Sequence, residues 1–135
     1  APLEAPTAGT GAIREAFTSY GIASGGWARG RGCLMCNTAV ERGALDEGSG
    51  RIVDAYFDRI DRAFRNALGN AQQAGEIDPG SDVTELAAFF TTALIGVAAS
   101  IRAEAPPEQI QAACRVATSV LDAHRPGDGP ELQAR

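Results

Sequence analysis

The chain has 135 residues, a formal net charge of −5 and an isoelectric point near 4.8. At 44% hydrophobic and 21% charged, it carries enough apolar side chain for one folded domain and too little charge for a disordered one. The acidic balance excludes a self-sufficient nucleic-acid binder, which needs a basic face to meet phosphates. Mean hydropathy is −0.11. The densest apolar stretch, 86–101, is broken by Thr91, Thr92, Gly96 and Ser100, so no membrane-spanning segment is expected. No signal peptide is evident. The three cysteines are an odd count, and reduced thiols in a cytoplasmic protein are the expectation.

In chain order, residues 1–10 are rich in Pro, Ala, Gly and Thr and read as a linker or frayed end. A helix is predicted over about 11–20, with Ile13, Ala16, Phe17 and Tyr20 at helical spacing. Residues 21–31 hold four glycines around Trp27, a loop with one large aromatic anchor. A short apolar helix follows over 33–42, with Gly43 as its C-cap. From 51 to 74 the pattern is strong. Ile52, Val53, Tyr56, Phe57, Ile60, Ala63, Phe64, Ala67, Leu68 and Ala71 recur at three and four residues in one apolar stripe. Asp58 with Arg62, and Asp61 with Arg65, are spaced for ion pairs along the opposite face.

Gly75 stops this helix and Asp78-Pro79-Gly80 forms a turn. Ser81 or Asp82 caps the next helix, 83–103, with Glu85 in capping-box position after Asp82. Apolar and small residues cover most of its circumference, so it must be covered on more than one side. Pro106-Pro107 opens the last helix, to about 124. There Ile110, Cys114, Ala117, Leu121 and His124 form a short heptad seam, widened by Ala113 and Val120. Pro126-Gly127 ends it, and 126–135 is expected to be a disordered tail. No period-2 strand pattern stands out. The fold class is therefore all-α, a bundle of about five helices.

The segment Arg31-Gly32-Cys33-Leu34, continuing through Asn37-Thr38-Ala39 to Glu41, resembles the "RGCL…NTA-E" stretch of TetR-family transcriptional repressors. It lies in their C-terminal, ligand-sensing domain. Gln73-Ala74-Gly75-Glu76-Ile77-Asp78-Pro79 is similar to the family's link between a long helix and the dimerisation helices. The resemblance covers roughly 11–124, and the ordered set of motifs carries it. It implies an effector-binding and dimerisation domain within 11–125. DNA would be read only by an N-terminal helix-turn-helix that these residues do not include.

The same resemblance implies that the last two helices pair with their symmetry mates in a four-helix interface. By position that role falls on Phe90, Leu94, Val97 and Ile101, with Ile110, Cys114, Ala117 and Leu121. The alternative is that these faces pack only within one chain. The family's cavity lies among the central helices. Its candidate wall residues here are Phe17, Tyr20, Trp27, Met35, Phe57, Phe64, Phe89 and Phe90, with Asn37 and Thr38 as polar groups. Each is otherwise ordinary core. The implied partners are a second copy of the chain, a small apolar or amphipathic effector and operator DNA through the head, with no membrane.

Cys33-Leu34-Met35-Cys36 is a C-x-x-C motif, with Cys33 expected in the first turn of a helix behind Arg29 and Arg31. A helix N-terminus and nearby cations favour a thiolate. This makes a redox or electrophile sensor the alternative function, against the reading that both are small buried hydrophobes. A Cys33, Cys36, Cys114 and His124 zinc site is excluded. The last two lie about 15 Å apart on one helix, too far to share an ion. No enzyme is expected: no Ser or Cys has a base partner, and the glycine pairs lack the Lys-Ser/Thr of a phosphate loop. No cofactor is implied. A ligand-free helical interaction module is the third reading.

Overall fold

The computed structural model describes residues 2–41 and 46–127. A 3-10 turn at Pro2–Glu4 precedes α1 (Thr10–Ser24), α2 (Leu34–Val40), α3 (Glu47–Gln73), α4 (Val83–Arg102) and α5 (Pro107–Ala123). Among the described residues there is no strand, so the class is all-α as the periodicity implied. α5 lies mainly along α1, and α4 mainly along α3. The core closes between the two pairs on three fully buried rings, Phe17 of α1, Phe64 of α3 and Phe90 of α4. Their centroids are 5.7–6.3 Å apart, with Phe64 and Phe90 stacked and Phe90 edge-on to Phe17. Such contacts add about 0.5–1.5 kcal/mol each beyond the buried area.

Local chemistry sets the helix ends. Asp46 caps α3, its side chain accepting from the Ser49 amide at 2.8 Å. The helix therefore starts four residues before the predicted start at 51, through Gly48 and Gly50 that obscure it in sequence. At the other end Gly75 has φ +75. Its amide bonds to the Gln72 carbonyl, and that of Glu76 to the Ala71 carbonyl. This Schellman pattern satisfies the last carbonyls and ends the helix where predicted. Asp82 caps α4 through the amides of Thr84 and Glu85 at 2.9 and 3.1 Å.

Several expectations change. Residues 2–10 do not fray: Leu3 and Ala8 are buried, and Asn70 of α3 donates to the carbonyls of Pro6 and Ala8, both at 2.8 Å. Arg59 of α3 holds Glu4 by a two-pronged ion pair. α1 runs on through Gly21 to Ser24, because Gly21 is buried against Gln111 and Cys114 of α5, a tertiary contact that offsets its low helix propensity. Trp27 is no buried anchor; it is 76% exposed. α4 is also long and apolar enough, with mean hydropathy 1.6, to cross a membrane by length and composition. Its Thr, Gly and Ser interruptions dilute that hydropathy too little to prevent this. Here it is a core helix, with seven residues from Leu86 to Ile101 buried. Gly43 and positions 128–135 of the expected tail lie outside the described residues.

Candidate ligand pocket and its thiol pair

Small residues on facing helices leave room where large ones close it. Ala12 and Ala16 of α1 face Ile60 and Ala63 of α3 across a pocket of about 340 Å³. Pro2, Leu3 and Glu4 cover one side, and Leu94 of α4 contributes from another. Tyr20, Tyr56, Ser19, Glu15 and Arg59 bring polar groups to an otherwise apolar wall. A second pocket, of about 330 Å³, lies on the far side of Ser19 and Tyr20. Its walls are Ala23, Trp27, Ala28, Gly32, Cys33 and Ile101. Tyr20 thus stands between two cavities of a size that small-molecule sites occupy.

The loop that reaches the second pocket is pinned to the end of α4. The Gly30 amide donates to the Ile101 carbonyl at 3.1 Å, and the Arg102 guanidinium donates to the Gly30 carbonyl at 2.5 Å. Gly32, at φ +61, sits against the Ala98 carbonyl and the Arg102 Cβ. The loop therefore delivers Cys33 as the N-cap residue of α2 rather than inside its first turn. Cys33 Sγ lies 3.5 Å from the Tyr56 hydroxyl of α3, so the thiol bridges the wall of one pocket to the wall of the other.

These groups perturb one another. Burial pushes the Cys33 thiol up, but hydrogen bonds from the Tyr56 hydroxyl, from Cys36 and from the amides of Cys36 and Met35 outweigh it and bring it below the ordinary thiol range. Cys36 is pushed up to about 12 by burial and then by the charge on Cys33. Burial raises both tyrosines, reinforced at Tyr56 by its bond to Cys33 and at Tyr20 by the two cysteines' charge. Cys114 is raised by burial at the α1–α5 contact.

Of the residues expected to line a cavity, Tyr20 and Trp27 do so. Phe17, Phe64 and Phe90 instead fill the core and leave no surface for a ligand. Phe89 faces outward from α4 at 42% exposure. Met35 and Phe57 are half-buried but line neither cavity. The polar groups of Asn37 and Thr38 are spent locally, on the Arg31 and Leu34 carbonyls at 2.7 and 2.8 Å. The residues missed, Ala12, Ala16, Tyr56, Ile60 and Ala63, had a signal. All but Ala12 belong to the two helical stripes, and the alanines among them are where a gap opens.

The eight residues assigned to a partner face sit mostly against the chain's own core, although Val97, Ile110 and Ala117 also border the outer groove between α4 and α5. Phe90, Leu94, Val97, Ile101, Ile110, Cys114, Ala117 and Leu121 are all buried within the single chain. Four-three spacing finds the most apolar stripe, and here that stripe faces α1 and α3. The apolar surface left outside is the neighbouring one. Phe89, Ala93 and Gly96 of α4 line a groove of about 530 Å³ with Ala113, Val116 and Val120 of α5. Val116 is 69% exposed. His124 closes the last helix as its C-cap, its Nδ1 2.8 Å from Ser81 Oγ and its carbonyl accepting from the Asp78 amide.

Residues 12–117, most of the chain, match the family model described as Tetracyclin repressor-like, C-terminal domain. The chain belongs to this family. The second pocket falls wholly within the matched part of this Tetracyclin repressor-like domain, as do the first pocket apart from Pro2–Glu4 and the outer groove apart from Val120. Over 121 residues it is 26% identical to the Uncharacterized HTH-type transcriptional regulator YezE of Bacillus subtilis (strain 168). That match covers 89% of this chain and 62% of the relative, so the chain spans less than two thirds of that protein's length. No solved structure matches the chain.

Proposed function

We propose that this domain is the effector-sensing and dimerisation part of a transcriptional repressor, and that its effector is a small, mainly apolar molecule with one polar end. The observation that carries this is the 340 Å³ pocket between α1 and α3, apolar along Ala12, Ala16, Ile60 and Ala63 and hydroxylated at Tyr20 and Tyr56. The hydroxyls orient a ligand, and the alanines leave it room. An effector there wedges α1 from α3 and favours the arrangement in which the two are further apart. By linkage, it shifts the population of whatever DNA-reading head is attached. The polar end of the effector meets Tyr20, Tyr56 or the Glu15 carboxylate. We place the dimer contact on the outer α4–α5 groove, where Val97, Ile110 and Ala117 form the floor and the exposed Phe89 and Val116 the rim.

The test is a thermal-shift titration of the chain with a panel of aromatic alcohols, phenols and medium-chain fatty acids. A true effector at about one hundred times its Kd adds about 2.7 kcal/mol of stability. Ala16→Phe fills the pocket and is expected to abolish the shift for that compound while the variant remains folded. An equal shift in the variant would place binding elsewhere and overturn the assignment.

A further inference from the structure

Beyond reversible effector binding, we propose that Cys33 and Cys36 are a peroxide-reactive dithiol that closes to a disulfide, Cys33 being the attacking sulfur, Cys36 the resolving one and Tyr56 the positioning residue. Three features of the fold carry it. Cys33 is the N-cap of α2 and Cys36 the third residue inside the helix, the spacing at which a capping side chain meets its own first turn. Cys33 is half-buried and lines the pocket beside Trp27 and Tyr20, so a small oxidant reaches it from solvent. Cys36 is buried, and its side chain is hydrogen-bonded to that of Cys33. The Tyr56 hydroxyl at 3.5 Å donates to the Cys33 sulfur when that sulfur is ionised. Cys114, buried in the α1–α5 contact, lines neither of the pockets that meet at Tyr20.

The oxidant is a hydroperoxide, hydrogen peroxide or a small alkyl hydroperoxide. The Cys33 thiolate attacks the terminal oxygen. An S–O bond forms, the O–O bond breaks, and the departing hydroxide or alkoxide takes up a proton as water or alcohol. With Cys33 now an uncharged sulfenic acid, burial still holds the Cys36 proton but the Cys33 negative charge that added to it is gone. Cys36 attacks the Cys33 sulfur. The S–S bond forms, the S–O bond breaks, and hydroxide leaves as water with the Cys36 proton. The two sulfurs together lose two electrons and the hydroperoxide gains them. Closing the bond withdraws Cys33 from Tyr56, freeing a side chain that lines the neighbouring effector pocket. The redox event and the occupancy of that pocket are thereby coupled.

The test is hydrogen peroxide treatment of the whole chain, quenching with iodoacetamide under denaturing conditions, and peptide mass spectrometry. Trypsin places Cys33 and Cys36 on one peptide, 32–42, and Cys114 on another, 103–115. The expected result is a 32–42 peptide lighter by two hydrogens and unalkylated, with Cys114 alkylated. Cys36→Ser is expected to form the sulfenic acid at Cys33 without closing a disulfide, and to over-oxidise to sulfinic and sulfonic acids there. Tyr56→Phe is expected to slow oxidation about three- to tenfold near neutral pH by raising the Cys33 thiol. Its pH–rate profile shifts upward accordingly, which a merely structural loss would not produce. Undiminished Cys36 oxidation in Cys33→Ser, a bond to Cys114, or both thiols of 32–42 alkylated as readily as Cys114 would each overturn the proposal. The readout needs no effector, so it stands or falls apart from the ligand assignment.

Discussion

Gly32 shows how one residue carries geometry that its neighbours depend on. Its φ of +61 is strained for any residue with a Cβ. An added Cβ would also lie 2.9 Å from both the Ala98 carbonyl and the Arg102 Cβ. Gly32→Ala is therefore expected to cost about 1–3 kcal/mol in urea denaturation and to displace Cys33 from Tyr56. Gly30, at φ +69, carries the same backbone strain, but there the steric obstruction is only the end of the Glu104 side chain, which can move. In the core, Phe64 is fully buried between Phe17 and Phe90. Phe64→Ala is expected to lower stability by about 3–5 kcal/mol in the same measurement, a large share of what a domain of this size possesses. That Phe17, Phe64 and Phe90 are core rather than cavity was not legible in the sequence. Helical spacing places a ring on an inner face without saying whether another ring meets it there.

At the scale of elements, caps and stops were read from single residues because they act through their nearest neighbours. Asp82 holds the first turn of α4 by two amides. Asp82→Ala is expected to cost about 1 kcal/mol, seen as a lower urea midpoint at unchanged slope. Gly75 behaves the same way at the end of α3. The start of α3 and the end of α1 were harder. Glycines at 21, 48 and 50 argue locally against helix, and it is packing or a cap outside the window that overrules them. The segment 2–10 failed for a related reason. Its Pro-rich composition describes an irregular backbone correctly, but irregular chain also packs when Leu3 and Ala8 find a groove and Asn70 satisfies its carbonyls.

At the scale of the whole molecule, the apolar groove between α4 and α5 is the surface we assign to a second copy of the chain. Val116→Glu is therefore expected to convert a dimer to a monomer in analytical ultracentrifugation, with helical circular dichroism retained. Unchanged mass for the variant would remove the groove from the interface. The sequence by itself determined the all-α class, the long amphipathic helix with its stop, the capped apolar helix after it, and the family, because periodicity, caps and ordered motifs are properties of neighbouring residues. Only the tertiary structure decided which stripe of α4 and α5 faces inward. It alone brought Tyr20, Tyr56 and Cys33 together from three separate segments, and left the cavity where alanines of α1 and α3 meet. The physical reason is that an amphipathic pattern specifies a face. What that face meets, and whether small residues across from one another leave a void, depends on how distant helices cross.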